Sequence, residues 1–217
     1  MGPVLRLFRF RPAVPGFDAR IRDILVPDVV RLPGCLAAYA GRIGPDDDGE
    51  RMIATVWATR AEMAAGVGEG FDPPVFHPEL LGGSTERRLD VLPLRYVLPA
   101  DRSVDAGILR LVTGLTRPGD QDAYIAAVAA GATGDRATGV GPVALYLGAL
   151  TPDGFATLSL WDSWDHLEAA TGADIRAVGR TRHEELLERW SAEHYEMVPG
   201  VCAPIAAPLP EPPEPPA

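Results

Sequence analysis

The 217-residue chain contains no lysine and no asparagine, and only two cysteines, Cys35 and Cys202. The missing lysine excludes Schiff-base catalysis and a Walker-type phosphate loop, both of which need its amine. Two cysteines, with no CxxC pair and no Cys/His cluster, supply neither a zinc site nor a disulfide framework. They read as reduced thiols in a cytoplasmic protein. No stretch approaches 18 consecutive apolar residues, so no transmembrane helix and no membrane partner are expected. The opening MGPVLRLFRFRP lacks the apolar core and cleavage site of a secretory signal, and the Ser/Thr of a myristoylation site. A net charge of −10 argues against a nucleic-acid partner, which needs concentrated cationic surface.

What is present is a repeat. The chain is 47% hydrophobic, enough to bury a core. VLRLFRF (residues 4–10) opens the first half and ILRLVTG (residues 108–114) the second, at an offset of 104. Trp57 and Trp161, which end IATVW and LSLW, are again 104 apart. Each half reads in one order. Residues 4–11 alternate as a strand, and Phe17, Ile21, Ile24/Leu25, Val29 and Leu32 recur at helical spacing. Pro27 is expected to kink or break that helix. LPG ends it, and 36–43 reads as a second strand. GPDDDGE is a turn whose counterpart is the tighter TPDG, a hairpin signal. Residues 52–57 and 155–161 are third strands. Thr59 with Glu62 forms a capping box, and Ser163 caps the matching helix. Fourth strands fall at 92–98 and 194–198.

The order β-α-β-β-α-β, twice, is the split βαβ or ferredoxin-like motif. A sheet with helices on one face leaves an apolar face bare, and a second copy can cover it. The expected fold class is therefore α+β: two fused ferredoxin-like repeats forming a pseudo-dimeric α+β barrel. The expected domains are residues 1–100 and 101–200, followed by a Pro-rich disordered tail over 201–217.

Several residues carry candidate chemistry. Trp57 and Trp161 share strand faces with Thr55 and with Thr157 and Ser159; a packing tryptophan is the first reading, a ligand cavity the second. Arg6 and Arg110 sit on otherwise apolar faces. Each needs a carboxylate, an exit to water, or an anionic ligand. Tyr39 and Tyr146 match on second strands, as core hydroxyls or as donors to a bound oxygen. The Gly-rich GATGDRATGVGP (residues 131–142) lacks a phosphate-loop context and reads as a flexible loop between helix and strand. His166 and His194 join no constellation.

PGCLAAYAGRIGPDDDGERMIATVWATRAEM, with its echo GPVALYLGALTPDGFATLSLWDSWDHLEAA, resembles the antibiotic biosynthesis monooxygenase family of the dimeric α+β barrel superfamily. The resemblance implies a cofactor-independent monooxygenase acting on a small aromatic, polyketide- or quinol-like molecule. It implies catalytic roles for Trp161, Tyr146 and His183, and substrate contacts from Ser159, Thr157, Arg110, Trp57, Tyr39 and Arg6. The second half is expected to hold the site, because it keeps an intact helix over its sheet, with the first half serving as scaffold. The alternatives are a non-catalytic ligand-binding or structural barrel protein, and a haem-binding barrel protein. Haem-degrading relatives place a His about twenty residues after the strand-ending Trp, which points to His77 and His183. They also use an Asn that this chain lacks and a second Trp where Val67 stands. The partner implied is a small molecule, with the chain acting as a monomeric pseudo-dimer or as a homodimer of these.

Overall fold

Alternating Val, Leu and Phe make β1 (Val4–Arg11) a strand over the residues the pattern marks. A computed structural model describes residues 2–12, 15–44, 49–69, 84–100, 106–171 and 183–204. The chain divides into two units, one within Met1–Val91 and Tyr195–Pro210, the other within Leu92–His194.

The first unit contains β1, a helical stretch α1 over residues 17–29, β2 (Cys35–Arg42), β3 (Arg51–Trp57) and α2 (Arg60–Val67). It also takes the first part of β4 (Thr85–Leu98) and the last part of β8 (Leu187–Pro204). Its strand order is β4-β1-β3-β2-β8. The second unit contains β5 (Ile108–Thr116), α3 (Gln121–Ala137), β6 (Ala144–Ala149), β7 (Gly154–Trp161) and α4 (Trp164–Thr171), with the remaining parts of β8 and β4. Its order is β8-β5-β7-β6-β4. In each unit the third strand lies antiparallel between the first and second. That is the split βαβ arrangement the repeat predicts, and each unit is a ferredoxin-like α+β fold.

Strand alternation gives each sheet two faces. In the first unit, Val4, Phe8, Phe10, Ala38, Ala40, Ile53 and Trp57 form one core with Phe17, Ile21 and Val29 of α1 and Met63 of α2. In the second, Val112, Leu145, Leu147 and Phe155 pack with Tyr124 and Ala132 of α3. The opposite faces, with Leu5, Leu7, Tyr39 and Val56 or Leu109, Tyr146 and Leu158, are buried as well.

The local signals act as expected. Thr59 accepts from the Glu62 N–H (3.2 Å) and donates to its carboxylate (2.7 Å), starting α2. Ser163 accepts from the His166 N–H (3.3 Å). TPDG closes the β6–β7 hairpin, with Leu150 N–H on the Gly154 carbonyl (2.8 Å).

Four expectations are corrected. Pro27 does not break α1: the stretch passes from α-helix (Phe17–Arg20) through a π turn (Ile21–Leu25) to α-helix (Val26–Val29). The wider turn relieves the clash of the proline ring with the carbonyl four residues back. The Gly-rich segment is not simply a loop, since α3 runs to Ala137. The turn after it is tied down by Arg136, whose guanidinium donates to the carbonyls of Pro99 (2.7 Å), Pro142 (2.9 Å) and Val143. Gly141 is needed there for close approach, because a Cβ would lie 2.2 Å from the Arg136 nitrogen. β4 and β8 are longer than expected, at 14 and 18 residues. Residues 201–204 therefore belong to a strand rather than to the Pro-rich tail, and residues 205–217 lie outside the described residues. Among the described residues no helix is long and apolar enough to cross a membrane.

Candidate functional site

In the second unit a pocket opens between the sheet and α3. Its volume is about 560 Å³ with the mouth included. The floor is Arg110 and Val112 of β5, Leu145 of β6, and Thr157, Ser159 and Trp161 of β7. The roof is α3, which presents Tyr124, Val128, Gly131, Ala132 and Asp135. Those positions recur at intervals of about four residues, one helical face, so the roof was readable as a periodic stripe. His183 stands at one edge, in a left-handed backbone conformation (φ 63°).

The floor is polar where a sheet–helix interface is ordinarily apolar. Arg110 is buried, and its guanidinium pKa is lowered to about 10 because burial penalises the charge. Across the β5–β7 ladder Arg110 faces Ser159, and Val112 faces Thr157. The Trp161 indole N–H donates to the Ser159 hydroxyl at 2.9 Å. Thr157 lines the pocket, and its hydroxyl is buried with no hydrogen-bond partner. An unmet hydroxyl at such a place costs about 1–3 kcal/mol unless a ligand or water satisfies it.

His194 on β8 lies near this floor without lining the pocket. Burial first, and then the Arg110 charge, lower its pKa to about 4, so the imidazole is neutral at physiological pH. Its Nε2 is buried without a partner, and its ring centroid is 5.5 Å from that of Trp164. Periodicity alone does not single out a neutral His on a strand, and sequence reasoning passed over it.

Of the residues proposed from sequence, the pocket brings together Arg110, Thr157, Ser159, Trp161 and His183. Tyr146 pairs with Leu158 on β7 and so belongs to the other face of the sheet. Arg6, Tyr39 and Trp57 belong to the first unit. Trp57 is core, its indole N–H donating to the Thr55 hydroxyl at 2.9 Å. Tyr39 is buried on the face away from the helices. Arg6 is 4% exposed, its Nε and Nη2 make no hydrogen bond, and its guanidinium carbon lies 5.7 Å from the centre of the Phe8 ring. Burial lowers its pKa to about 10. The ion pair or exposed edge expected for Arg6 is thus replaced by a contact with an aromatic face. His77 lies outside the described residues. His166 bonds Asp162 through Nδ1 (2.7 Å), and the two line a separate pocket beside Arg136. Among the described residues, no group of three His, Cys, Asp or Glu side chains converges to hold a metal.

Fold and pocket together define the class: ferredoxin-like α+β units with a polar-floored pocket beneath a helix. The chain has the fold of the antibiotic biosynthesis monooxygenase-like ferredoxin proteins. It is similar to a candidate monooxygenase from Lactobacillus acidophilus, with 13% identity and a TM-score of 0.68 over 97% of this chain and 100% of that one. It is similar to an anthrone oxidase-like protein, with 18% identity and a TM-score of 0.57 over 91% and 92%. A third likeness is to a ferredoxin-fold protein from Listeria monocytogenes related to antibiotic biosynthesis monooxygenases, with 8% identity and a TM-score of 0.52 over 91% and 95%. No family model matches the sequence, and no curated protein matches it.

Proposed function

We propose that the second unit's pocket binds a small electron-rich aromatic and promotes its oxygenation by dioxygen with no cofactor. The observation that carries this reading is the buried Arg110 guanidinium beside the unsatisfied Thr157 hydroxyl. A cation held out of water stabilises an anion strongly, and a fixed hydroxyl beside it orients one. A phenol or anthrone-type enol bound there loses its proton more easily. Asp135 and His183 line the pocket, and either carries a group of the type that takes such a proton. The electron-rich anion then reduces dioxygen directly. In an anthrone a carbon–oxygen bond forms at the activated CH2 carbon and loss of water leaves a carbonyl, so CH2 and O2 become C=O and H2O; in a phenol or hydroquinone the same addition at an activated ring CH, with loss of water, gives a quinone. Trp161, whose N–H is committed to Ser159, contributes an apolar wall rather than a proton. The likeness to an anthrone oxidase-like protein supports the substrate class.

The residues fit haem poorly. α3 lies directly on the sheet, with the Tyr124 and Phe155 ring centroids 4.4 Å apart. The floor carries Arg110, Thr157 and Ser159 where a macrocycle needs an apolar slot.

The test is oxygen uptake with an anthrone and with a hydroquinone. Uptake above the buffer rate should fall at least 100-fold in kcat/KM in Arg110→Met, the usual cost of one charge-stabilising group. No uptake by the wild-type protein with either substrate, or an undiminished rate in Arg110→Met, overturns the proposal. Binding without uptake leaves a non-catalytic ligand-binding protein.

A further inference from the structure

The two units build the same frame and fill it differently. Across β1–β3, Arg6 faces Thr55 and Phe8 faces Ile53; across β5–β7, Arg110 faces Ser159 and Val112 faces Thr157. All four positions are related by the repeat offset of 104. In each unit a Trp two residues after the hydroxyl donates to it at 2.9 Å. Arginine, hydroxyl and tryptophan are therefore common to both.

What differs is the next pair along the strands. In the first unit the Phe8 ring is buried against the Arg6 guanidinium and stacks on Phe10 at 4.7 Å. A cation over an aromatic face is worth about 0.5–2 kcal/mol when shielded from water. In the second unit that position is Val112, which has no ring, and the pocket lies there. The cross-strand neighbour changes from Ile53, whose side chain offers no hydrogen-bonding group, to Thr157, a residue 6% exposed whose hydroxyl is buried and unsatisfied. Directly opposed side chains on a strand pair start about 5 Å apart. A ring placed over Arg110 as Phe8 is placed over Arg6 therefore lies beside Thr157.

We infer that Phe8 is the first unit's built-in occupant of a site the second unit leaves open, and that the ligand of the open site is a hydroxylated aromatic. Its ring lies against Arg110 as Phe8 lies against Arg6, and its ring oxygen meets the Thr157 hydroxyl. This rests on the reading that the pocket binds an aromatic, and it adds the ring's place and the group that selects it. It does not require that the ligand react.

Equilibrium binding tests it apart from oxygen uptake. The probes are 1-naphthol and 1-methylnaphthalene, near-isosteres that differ in the hydroxyl, titrated against tryptophan fluorescence. The wild-type protein should bind 1-naphthol at least tenfold more tightly, about 1.4 kcal/mol, the scale of one hydrogen bond to an otherwise unsatisfied buried group. Thr157→Val, which keeps the shape, should bring the two affinities within twofold. Val112→Phe should abolish both by installing the first unit's ring. Equal affinities in the wild type, an unchanged preference in Thr157→Val, or undiminished binding in Val112→Phe would each overturn the inference. Preferential naphthol binding without oxygen uptake would uphold it and remove only the catalytic reading.

Discussion

Replacing Phe8 with valine makes the first unit imitate the second. Phe8 is buried within the core that joins β1, β3 and both helices of its unit, and it covers the Arg6 guanidinium. Truncating a buried Phe to Ala costs about 3–5 kcal/mol, of which Val recovers part by filling some of the space. The lost cation–ring contact adds to the cost. Water reaching the unsatisfied Arg6 nitrogens offsets some of it, because they now make no hydrogen bond. The net expectation is about 2–4 kcal/mol, read as a lower urea midpoint at unchanged slope in tryptophan fluorescence, to which the buried Trp57 contributes. The new cavity has the arginine of the second unit but Ile53 instead of Thr157, so it should take aromatics without regard to a hydroxyl. 1-Methylnaphthalene at about 100 times its dissociation constant should then return about 2.7 kcal/mol. A loss below about 1 kcal/mol, or no recovery with either naphthalene, would refute the idea that Phe8 fills a ligand-shaped space.

Two further predictions concern stability. Asp18 accepts from the fully buried Arg51 (2.6 Å) and from Arg42 (3.0 Å). Asp18→Ala removes the carboxylate from the buried Arg51 guanidinium, which keeps the Gly49 carbonyl (2.8 Å), and should cost about 2–3 kcal/mol, less than a wholly buried pair because Asp18 is itself partly exposed. The double variant Asp18→Ala/Arg51→Met should regain at least half of that in urea unfolding, and a strictly additive double would refute the pairing. His194 titrates near 4 in the folded protein against an ordinary 6.5, the shift set by burial and then by Arg110. Between those values the unfolded chain binds more protons, so stability rises with pH from about 4 to 6.5 and is level above. Discounted for the solvent that reaches this half-buried ring, the gain is about 1–2 kcal/mol. His194→Gln should flatten that segment of the stability curve, and a slope unchanged in the variant would show that other groups produce it.

How much of this was legible depended on whether the signal was local. Alternation fixed β1 to the residue, and Thr59–Glu62, Ser163 and TPDG each act through bonds spanning a few residues. Pro27 misled because a π turn upstream absorbs it, a choice made by the packing of Ile21, Leu25 and Val29 rather than by propensity. Gly131 and Gly134 misled in the same direction. Each costs about 1 kcal/mol relative to Ala in a helix, which the contacts of Tyr124 and Ala132 with the sheet outweigh. Tyr146 was placed in the site by its match with Tyr39, but the β6–β7 register decides its face. Tyr146 stands opposite Leu158, one residue out of step with Thr157 and Ser159. A one-residue step moves a side chain through the sheet, and register is a long-range property that a single strand does not declare.

The internal repeat also separates groups that a frame requires from groups that a ligand requires. An arginine on the first strand and a Trp–hydroxyl pair on the third occur in both units, including the one whose arginine is already covered by Phe8. Loss of function on replacing Arg110 or Trp161 therefore counts for the site only where the variant keeps the wild-type urea midpoint. Beside that shared set, the copies part at Val112 and Thr157, and they part together: a ring is absent from one strand, and a hydroxyl stands directly across from the gap. Neither change helps packing, since one removes buried apolar contact and the other buries an unsatisfied oxygen. Two adjacent losses of stability of complementary shape and chemistry are what a site for an oxygen-bearing ring costs its protein. Thr157→Val is therefore the decisive substitution. It should stabilise the ligand-free fold slightly while erasing the preference for the hydroxylated probe, and a variant that is both less stable and equally selective would show that Thr157 serves the frame instead.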